Sequence, residues 1–459
     1  MTARRLQLAF FSPFSPQKSG IADYSEELLP YLGAVADVDL ITGPQKLSNK
    51  LLLTRFRTRS VPDFLRHHAD YDAAIYQIGN NLDHHGYIVP CMRAVPGILV
   101  LHDICLQYLM LGLTVNAGNF RALVDTLRPA YGPKATLLAT KLLFNCADPN
   151  RISFARPLID MSSGIIVHSR YANDLVSAQV PNKYIRVVPM GVPLDGPQTP
   201  SHVLASRYGL QPKDFVLASI STLAMTKRLD VALCVVHRLR PEMPHLKFLV
   251  VGGGNLADEA RNMIRRYGLK DSVVSTGWVT SSDYRGLIAL ADIVLDLRYP
   301  SGAETSASIT RAMAVGRPLI VSAQGSFLEL PDGCSIKIPV GPGEVARICG
   351  AVQQLATDPV LRGSMGRFAR AYSESNFRLE QAARAYVEFA AEIARSPKAH
   401  RNLVPWPAVD ARSPAAGLVS AIYKLTRIAY LYRNYGWSDT LRRVREEIRL
   451  RNLSEPEGT

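Results

Sequence analysis

The chain has 459 residues, a formal net charge of +14 and a pI near 9.5, with 47% apolar and 20% charged residues. Such a length exceeds what one core supports, so two domains plus extras are expected, and the composition is that of an ordinary globular protein. No run reaches ~18 uninterrupted apolar residues, which excludes a membrane span. The six cysteines are scattered without metal-ligand spacing, which fits a reducing compartment and no disulfide framework. The positive surplus points to an anionic partner: a phosphorylated or nucleotide substrate, or an anionic membrane surface. No helix-turn-helix, zinc-ligand or aromatic-basic module is visible, so no nucleic acid is expected.

In chain order, Met1 to Arg5 is too short for a signal sequence and runs into a predicted strand, Leu6 to Phe11. Ser12-Pro13 through Ser19-Gly20-Ile21-Ala22-Asp23 then turns into a helix. Gly20 lets a backbone approach a ligand, and the helix points its N-terminus outward; the alternative is a plain strand-to-helix turn. A second strand covers Val38 to Ile41, where alternation puts Asp37 and Asp39 on one solvent face. Ala73 to Gln77 is the third strand, and Tyr76-Gln77-Ile78-Gly79-Asn80 closes it with polar groups that suit either a ligand or a turn. Gly97 to Leu101 ends in His102-Asp103. A His at the carboxyl end of a parallel strand faces the ligand crevice; the alternative is a half-buried His bonded to backbone. Gly164 to Val167 and Tyr184 to Val188 complete the first half.

Pro189, Gly191, Pro193, Gly196, Pro197 and Pro200 mark a linker. A second series of strands follows at Phe215–Ile220, Phe248–Val251, Val273–Thr276, Ile293–Leu297 and Leu319–Val321. Strand-like runs alternate with helical patterns throughout, which predicts two doubly wound parallel α/β domains with ligands in the cleft between them. Within the second half, Ser221-Thr222 to Lys227-Arg228 follows the first strand. Val251 to Gly254 is a tight turn that shapes the cleft, and Thr276-Gly277-Trp278-Val279 follows the third strand. The most informative segment is Ser301 to Ser322. Ala303-Glu304-Thr305-Ser306 leads into a helix with Thr305 or Ser306 as N-cap, Gly316 ends it, and Pro318 follows. Unpaired N–H groups at Ser306, Ala307 and Ser308 suit an anion. A carboxylate beside them, Glu304, at an exposed helix mouth, suits a ligand that also carries neutral hydroxyls, such as a sugar; the alternative is an ordinary loop-helix-strand unit with a surface Glu. After Asn376 a helical pattern runs to about Ala394. Pro397, Pro405, Pro407 and Pro414 break the chain, and Leu418 to Leu450 reads as a helix rich in Arg, Tyr and Trp.

Glu304, Ala312-Met313 and Gly316-Arg317-Pro318 together resemble the donor site of retaining glycosyltransferases of family 4, within glycosyltransferase group 1. The resemblance covers about residues 5–395 and implies the GT-B architecture, two Rossmann-like domains facing across a cleft, here with a helical C-terminal extension. It implies an acceptor domain at 1–195, a nucleotide-sugar donor domain at 196–375, a crossover helix at 376–395 and a basic extension at 396–459. Glu304 is implied to hold sugar hydroxyls, His102 to orient the sugar, and Lys227 to hold the donor diphosphate, these three forming the catalytic set. Donor contacts are implied at Gly20, Thr222, Lys227, Arg228, Trp278, Val279, Glu304, Ser306, Ala307, Ser308 and Arg311, and acceptor contacts at Asn80 and Asp103.

Two positions depart from the family. Arg311 stands where a second Glu normally holds the ribose, and Arg accepts no hydrogen bond. Thr222 stands where an Arg is usual, and Arg228 or Arg311 is expected to replace that cation. Asp37-Val38-Asp39 looks like the Asp-x-Asp metal motif of other glycosyltransferases but lies far from the donor half, so no metal and no cofactor is expected beyond the nucleotide-diphosphate sugar. The resemblance implies transfer to a glycan or lipid-linked acceptor in bacterial surface-polysaccharide synthesis, at a cytoplasmic location near the inner face of the membrane. The rival readings are a catalytically silent nucleotide- or glycan-binding assembly partner, and a sugar-nucleotide epimerase of the same architecture.

Overall fold

The computed structural model describes residues 4–195, 199–220, 225–253, 257–400, 403–404, 406, 417–430 and 432–433. The first sheet holds β1 (Gln7–Phe11), β2 (Asp37–Thr42), β3 (Arg57–Ser60), β4 (Ala73–Ile78), β5 (Ile98–Leu101), β6 (Gly164–Val167) and β7 (Ile185–Val187), in the order β3-β2-β1-β4-β5-β6-β7. The second holds β8 (Phe215–Ile220), β9 (Leu246–Val251), β10 (Val273–Gly277), β11 (Ile293–Asp296), β12 (Leu319–Ser322) and β13 (Ser335–Ile338), in the order β10-β9-β8-β11-β12-β13. Every pairing in both sheets is parallel. Central strands such as β5 and β12 are buried along their whole length, because helices cover both faces of a parallel sheet and leave no solvent side.

Two edge strands escaped the sequence pattern. Arg57-Thr58-Arg59-Ser60 is polar and mostly exposed, and Ser335-Ile336-Lys337-Ile338 is half polar. An edge strand needs little burial, so its pairing leaves no apolar signature in the sequence.

Each sheet is sandwiched between two apolar clusters. Phe11, Tyr76 and Leu99 mark one face of the first sheet, and Phe10, Ile75 and Val100 the other. The second face is completed by a helix from the far end of the chain. Leu379–Arg395 packs Tyr386, Phe389 and Ile393 into it, and a Cβ at Gly164 would fall 2.8 Å from Ile393. Tyr24 and Tyr386 also meet hydroxyl to hydroxyl, 3.4 Å apart.

The described part of the C-terminal extension lies on the first domain. Trp406 is buried and donates Nε1–H to Thr126. Val419, Ile422 and Tyr423 pack against the same cluster, and Thr426 accepts from Asn145. Leu418, Leu425, Tyr430 and Tyr432 are exposed. The expected helical residues beyond 433, with Tyr435, Trp437, Arg442, Arg443, Arg445 and Arg449, lie outside the described residues.

Candidate active site

The carboxyl ends of β1, β4 and β5 in the first domain and of β8 and β11 in the second converge on one cleft, held by direct contacts between domains. Ile104 donates its N–H to Gly302 O at 2.8 Å. Glu329 accepts from the N–H groups of Arg170 and Tyr171, so a second-domain carboxylate caps a first-domain helix. Arg311 reaches Glu27 at 2.6 Å, and Lys18 lies 5.8 Å from the Trp278 ring centroid. Ala303 and Ala307 pack against clusters of the first domain.

Glu304 stands at the centre of this contact zone. It was expected at an exposed helix mouth; instead its side chain is 18% exposed and ion-paired to Arg298 at 2.7 Å. Arg298 follows β11 directly and is itself 8% exposed. Its other Nη lies 3.8 Å from Asp296 and 3.3 Å from Ser306 Oγ, and Ser306 Oγ donates to Asp296 at 2.7 Å. Ser306 therefore occupies the N-cap position of the helix Ala307–Ala314 without capping it by its side chain. Thr305 Oγ1, the other expected cap, is buried with no partner. Ala303, one residue before Glu304, adopts φ +64°, a left-handed conformation that costs a residue with a Cβ ~1–3 kcal/mol. The strain is confined to the turn that aims Glu304.

From the first domain, Asp103 joins the group. Its carboxylate accepts the Asn80 N–H at 3.2 Å. Burial pushes the Asp103 carboxyl above the usual range, nearby Glu304 adds to this, and the Asn80 N–H and Arg298 oppose it. Asp296 is raised in the same direction, again mainly by burial, against its bond from Ser306. Cys105 is pushed up to about 12 by burial and by Glu304 and Asp103, so its thiol stays protonated. Two carboxyl groups thus contact one guanidinium, and a third, Asp103, feels its charge. Such a set accepts hydrogen bonds from hydroxyls and repels phosphate, so it suits the neutral, hydroxylated part of a ligand.

His102 is buried, and its Nε2 lies 2.7 Å from Gln77 Oε1 while Nδ1 has no partner. Burial holds its pKa well below the ordinary value, with His168 and His85 adding to the effect. A neutral ring can orient a ligand but supplies no positive charge. His168 beside it, ring centroids 4.7 Å apart, bonds Val188 O through Nδ1 at 2.9 Å and is lowered to about 4 by burial. Its folded pKa lies below the unfolded 6.5, so the stability it contributes is present above pH ~6.5 and lost as pH falls towards about 4. The full window is worth up to about 3 kcal/mol. His168→Asn should flatten the urea midpoint against pH between 7 and 4.5; parallel profiles for parent and variant would refute the assignment.

The remaining expected residues divide. Lys227 is half-buried in a short turn after β8, and that turn is tied to the Glu304 loop because Tyr299 donates its N–H to Thr226 O at 2.7 Å. A Cβ at Gly20 would meet nothing within 4 Å, so the turn there is open, and Ser19 caps its helix by accepting from Ile21 N–H. Trp278 is half exposed, Val279 packs against an apolar cluster of the second domain, and Ser308 Oγ accepts from Tyr284. Asn80 is spent locally, since its Oδ1 accepts from the N–H groups of Tyr108 and Leu109. Thr222 lies outside the described residues.

Arg228 and Arg311, the residues expected to replace the missing diphosphate cation, are both ion-paired. Arg228 gives both ends of its fork to Glu344 at 2.7 Å each, and Arg311 is engaged by Glu27. Asp37 and Asp39 are likewise taken up, Asp37 by Arg5 and Asp39 by Arg59 and Tyr71. Among the described residues no cluster of three or more His, Cys, Asp or Glu could hold a metal ion. Arg298, Asp296 and Glu27 were not anticipated. The rule that selected His102, polarity at the carboxyl end of a strand, applies equally to Asp296-Leu297-Arg298.

Residues 214–358 match the family model described as Glycosyl transferases group 1. Curated relatives include an alpha-D-kanosaminyltransferase of Streptomyces kanamyceticus, 26% identical over 180 residues, 39% of this chain and 46% of that protein. A GDP-mannose-dependent alpha-(1-6)-phosphatidylinositol monomannoside mannosyltransferase of Mycolicibacterium smegmatis is 26% identical over 219 residues, 46% of this chain and 57% of that protein. The chain thus spans about half the length of the curated relatives it matches. Among solved structures, Anabaena HepE in complex with UDP and glucose superposes with a TM-score of 0.63 at 15% identity, covering 84% of this chain and 100% of that one. Sucrose-phosphate synthase from Thermosynechococcus elongatus gives 0.62 at 16% identity, covering 85% and 99%. These likenesses, with the 7- and 6-stranded parallel sheets, make the fold a two-domain GT-B α/β fold.

Proposed function

We propose that the chain is a glycosyltransferase that moves a sugar from a nucleotide-diphosphate sugar to a glycan or lipid-linked acceptor, with retention at the anomeric carbon. The observation that carries this reading is the Arg298-centred set of Glu304 and Asp296, facing Asp103 across the cleft. It offers acceptors for sugar hydroxyls beside a helix start that offers donors for phosphate. The family match over 214–358 falls on the half that holds Glu304, Lys227 and the helix Ala307–Ala314, and one neighbour of the same fold was solved with UDP and glucose.

In this reading Glu304 holds the sugar hydroxyls and Arg298 fixes its orientation. His102, neutral, helps to seat the sugar. As the anomeric C–O bond to the diphosphate breaks, negative charge grows on the leaving group. Lys227 and the amides at Ser306 to Ser308 stabilise it, and the leaving phosphate takes the acceptor hydroxyl's proton. Trp278 and Val279 flank the base, and Asp103 lies on the acceptor side. With Arg228 and Arg311 engaged elsewhere, Lys227 is the cation assigned to the diphosphate. Lys227→Ala should therefore weaken the affinity for a free nucleoside diphosphate by about a hundredfold, equivalent to ~2.7 kcal/mol. Calorimetry decides this, and equal affinity in variant and parent would remove Lys227 from the site.

The engaged Arg228 and Arg311 also favour a second reading, a silent nucleotide- or glycan-binding partner. Turnover of any donor excludes it. We also place the protein at the cytoplasmic face of an anionic membrane, in surface-polysaccharide synthesis. The net charge of +14 and exposed Leu418, Leu425, Tyr430 and Tyr432 near Lys424 and Arg427 support this. No helix among the described residues is long and apolar enough to cross a membrane.

A further inference from the structure

At the carboxyl end of the helix Ala307–Ala314, where it meets the helix Pro359–Asn376, the second domain holds an open cavity of about 410 Å³. Arg362, Gly363, Gly366, Arg367 and Arg370 line it from one helix and Arg317 from the facing turn. Arg367 and Arg370, three residues apart, share one face of that helix. The two elements approach closely here: a Cβ at Gly366 would fall 2.4 Å from Gly316 O.

Among the described residues, Arg367 and part of Arg317 are left without partners in this cluster. Asp292 is the acid lining the cavity; it lies 3.6 Å from Arg362 Nε and also accepts the Val216 N–H. Arg362 donates to Leu355 O. Arg370 is satisfied by Glu374, Ala314 O, Leu194 O and, at 3.4 Å, Asp195. Arg317 donates Nη1–H to Ala291 O, but its Nε is buried with no partner. Arg367 makes no ion pair or hydrogen bond among the described residues. Burial lowers the Arg317 pKa, and Arg362 adds to this against Asp292. Four guanidinium groups against one carboxylate leave the lining of this open cavity with a positive surplus that an entering anion would offset.

We infer that this cavity is a binding site for a phosphate-bearing ligand, whose oxyanion is held by Arg317 and Arg367. Guanidinium forks match phosphate oxygens in pairs, and the volume falls in the range of small-molecule sites, ~300–1,000 Å³. The site shares no residue with the cleft around Glu304. Arg370 links it to the rest of the molecule, because the same side chain holds Leu194 and Asp195 in the segment between the two sheets and Ala314 on the helix that starts beside Ser306.

The test measures pyrophosphate binding by calorimetry in the full chain, in Arg367→Glu, in Arg317→Gln and in Lys227→Ala. Arg367 is exposed, so its replacement leaves the fold intact, which an unchanged melting curve verifies. One pyrophosphate should remain bound in Lys227→Ala, and affinity should fall at least tenfold in Arg367→Glu and Arg317→Gln. Phosphatidylglycerol–phosphatidylcholine vesicles form the second arm: if Arg367→Glu abolishes flotation while pyrophosphate binds neither protein, the phosphate belongs to a lipid headgroup and the site stands. Equal behaviour of parent and Arg367→Glu towards both probes, or loss of pyrophosphate only in Lys227→Ala, would overturn the site.

Discussion

Glu304→Gln should lower turnover about a hundredfold to a thousandfold, the range seen when one preorganised electrostatic contact is removed, while the protein stays folded. The substitution keeps the side chain's shape and its oxygen towards Arg298 Nη1, now 2.7 Å away, but removes the charge that accepts most strongly from sugar hydroxyls. Alanine is the poorer choice, because it would also leave Arg298 with a lost partner in a buried position, and a loss of activity would then mix with a loss of stability. With Gln the two separate: the urea midpoint should fall modestly, since a charge-assisted bond of ~1.5–3 kcal/mol becomes a neutral one of ~0.5–1.5 kcal/mol. Turnover within a few-fold of the parent would make Glu304 a structural partner of Arg298 and move the chemistry elsewhere.

The largest effect on stability belongs to Arg298→Met. The Arg298 side chain neutralises Glu304 and Asp296 and opposes the raised pKa of Asp103. Removing one partner of a buried ion pair costs ~3–5 kcal/mol because the other charge stays behind, a large share of the 5–15 kcal/mol of a typical domain. The sign of the pH dependence follows. Burial already raises Asp296 and Asp103 in the folded state, and without the guanidinium that opposes this at Asp103 the variant should regain stability as pH falls through the raised folded values. The double variant Arg298→Met/Glu304→Gln should be less destabilised than the sum of its parts, since the stranded charge is gone. Urea midpoints at pH 7.5 and 5.5 check both statements. A pH-independent loss, or strict additivity, would mean that packing of the Arg298 stem against Phe327 matters and its charge does not.

Much of the fold was legible because a parallel sheet covered on both faces needs continuous apolar strands. β1, β5, β6, β8 and β12 stand out for that reason, and only the polar edges β3 and β13 were lost. The site was legible where one residue in its local frame carries the meaning: Glu304 before a helix, and His102 at the end of β5. It was not legible where the meaning lies in a distant partner. Arg311 reads as a free cation until Glu27 is found beside it, 284 positions away in sequence. Arg228 reads the same way until Glu344 is seen to take its whole fork. Glu304 itself looked exposed because a helix mouth usually is; the first domain closing over its loop, through Ile104 on Gly302 and the cluster that receives Ala303, reverses that. Truncating the chain at Ser396 would not isolate the role of the basic extension. It would uncover the cluster that Trp406, Val419 and Ile422 cover, so loss of membrane binding would be confounded with loss of packing.

The central claim is that the cleft around Glu304 and Arg298 binds a nucleotide-diphosphate sugar. It is tested most directly by thermal shift against a panel of UDP-, GDP- and ADP-sugars, run on the parent and on Lys227→Ala. Sugars of one base should raise the parent's melting temperature, by an amount equivalent to ~2.7 kcal/mol at a hundred times the dissociation constant, and the rise should largely disappear in Lys227→Ala. No shift with any donor at millimolar concentration, or an equal shift in parent and variant, would contradict it.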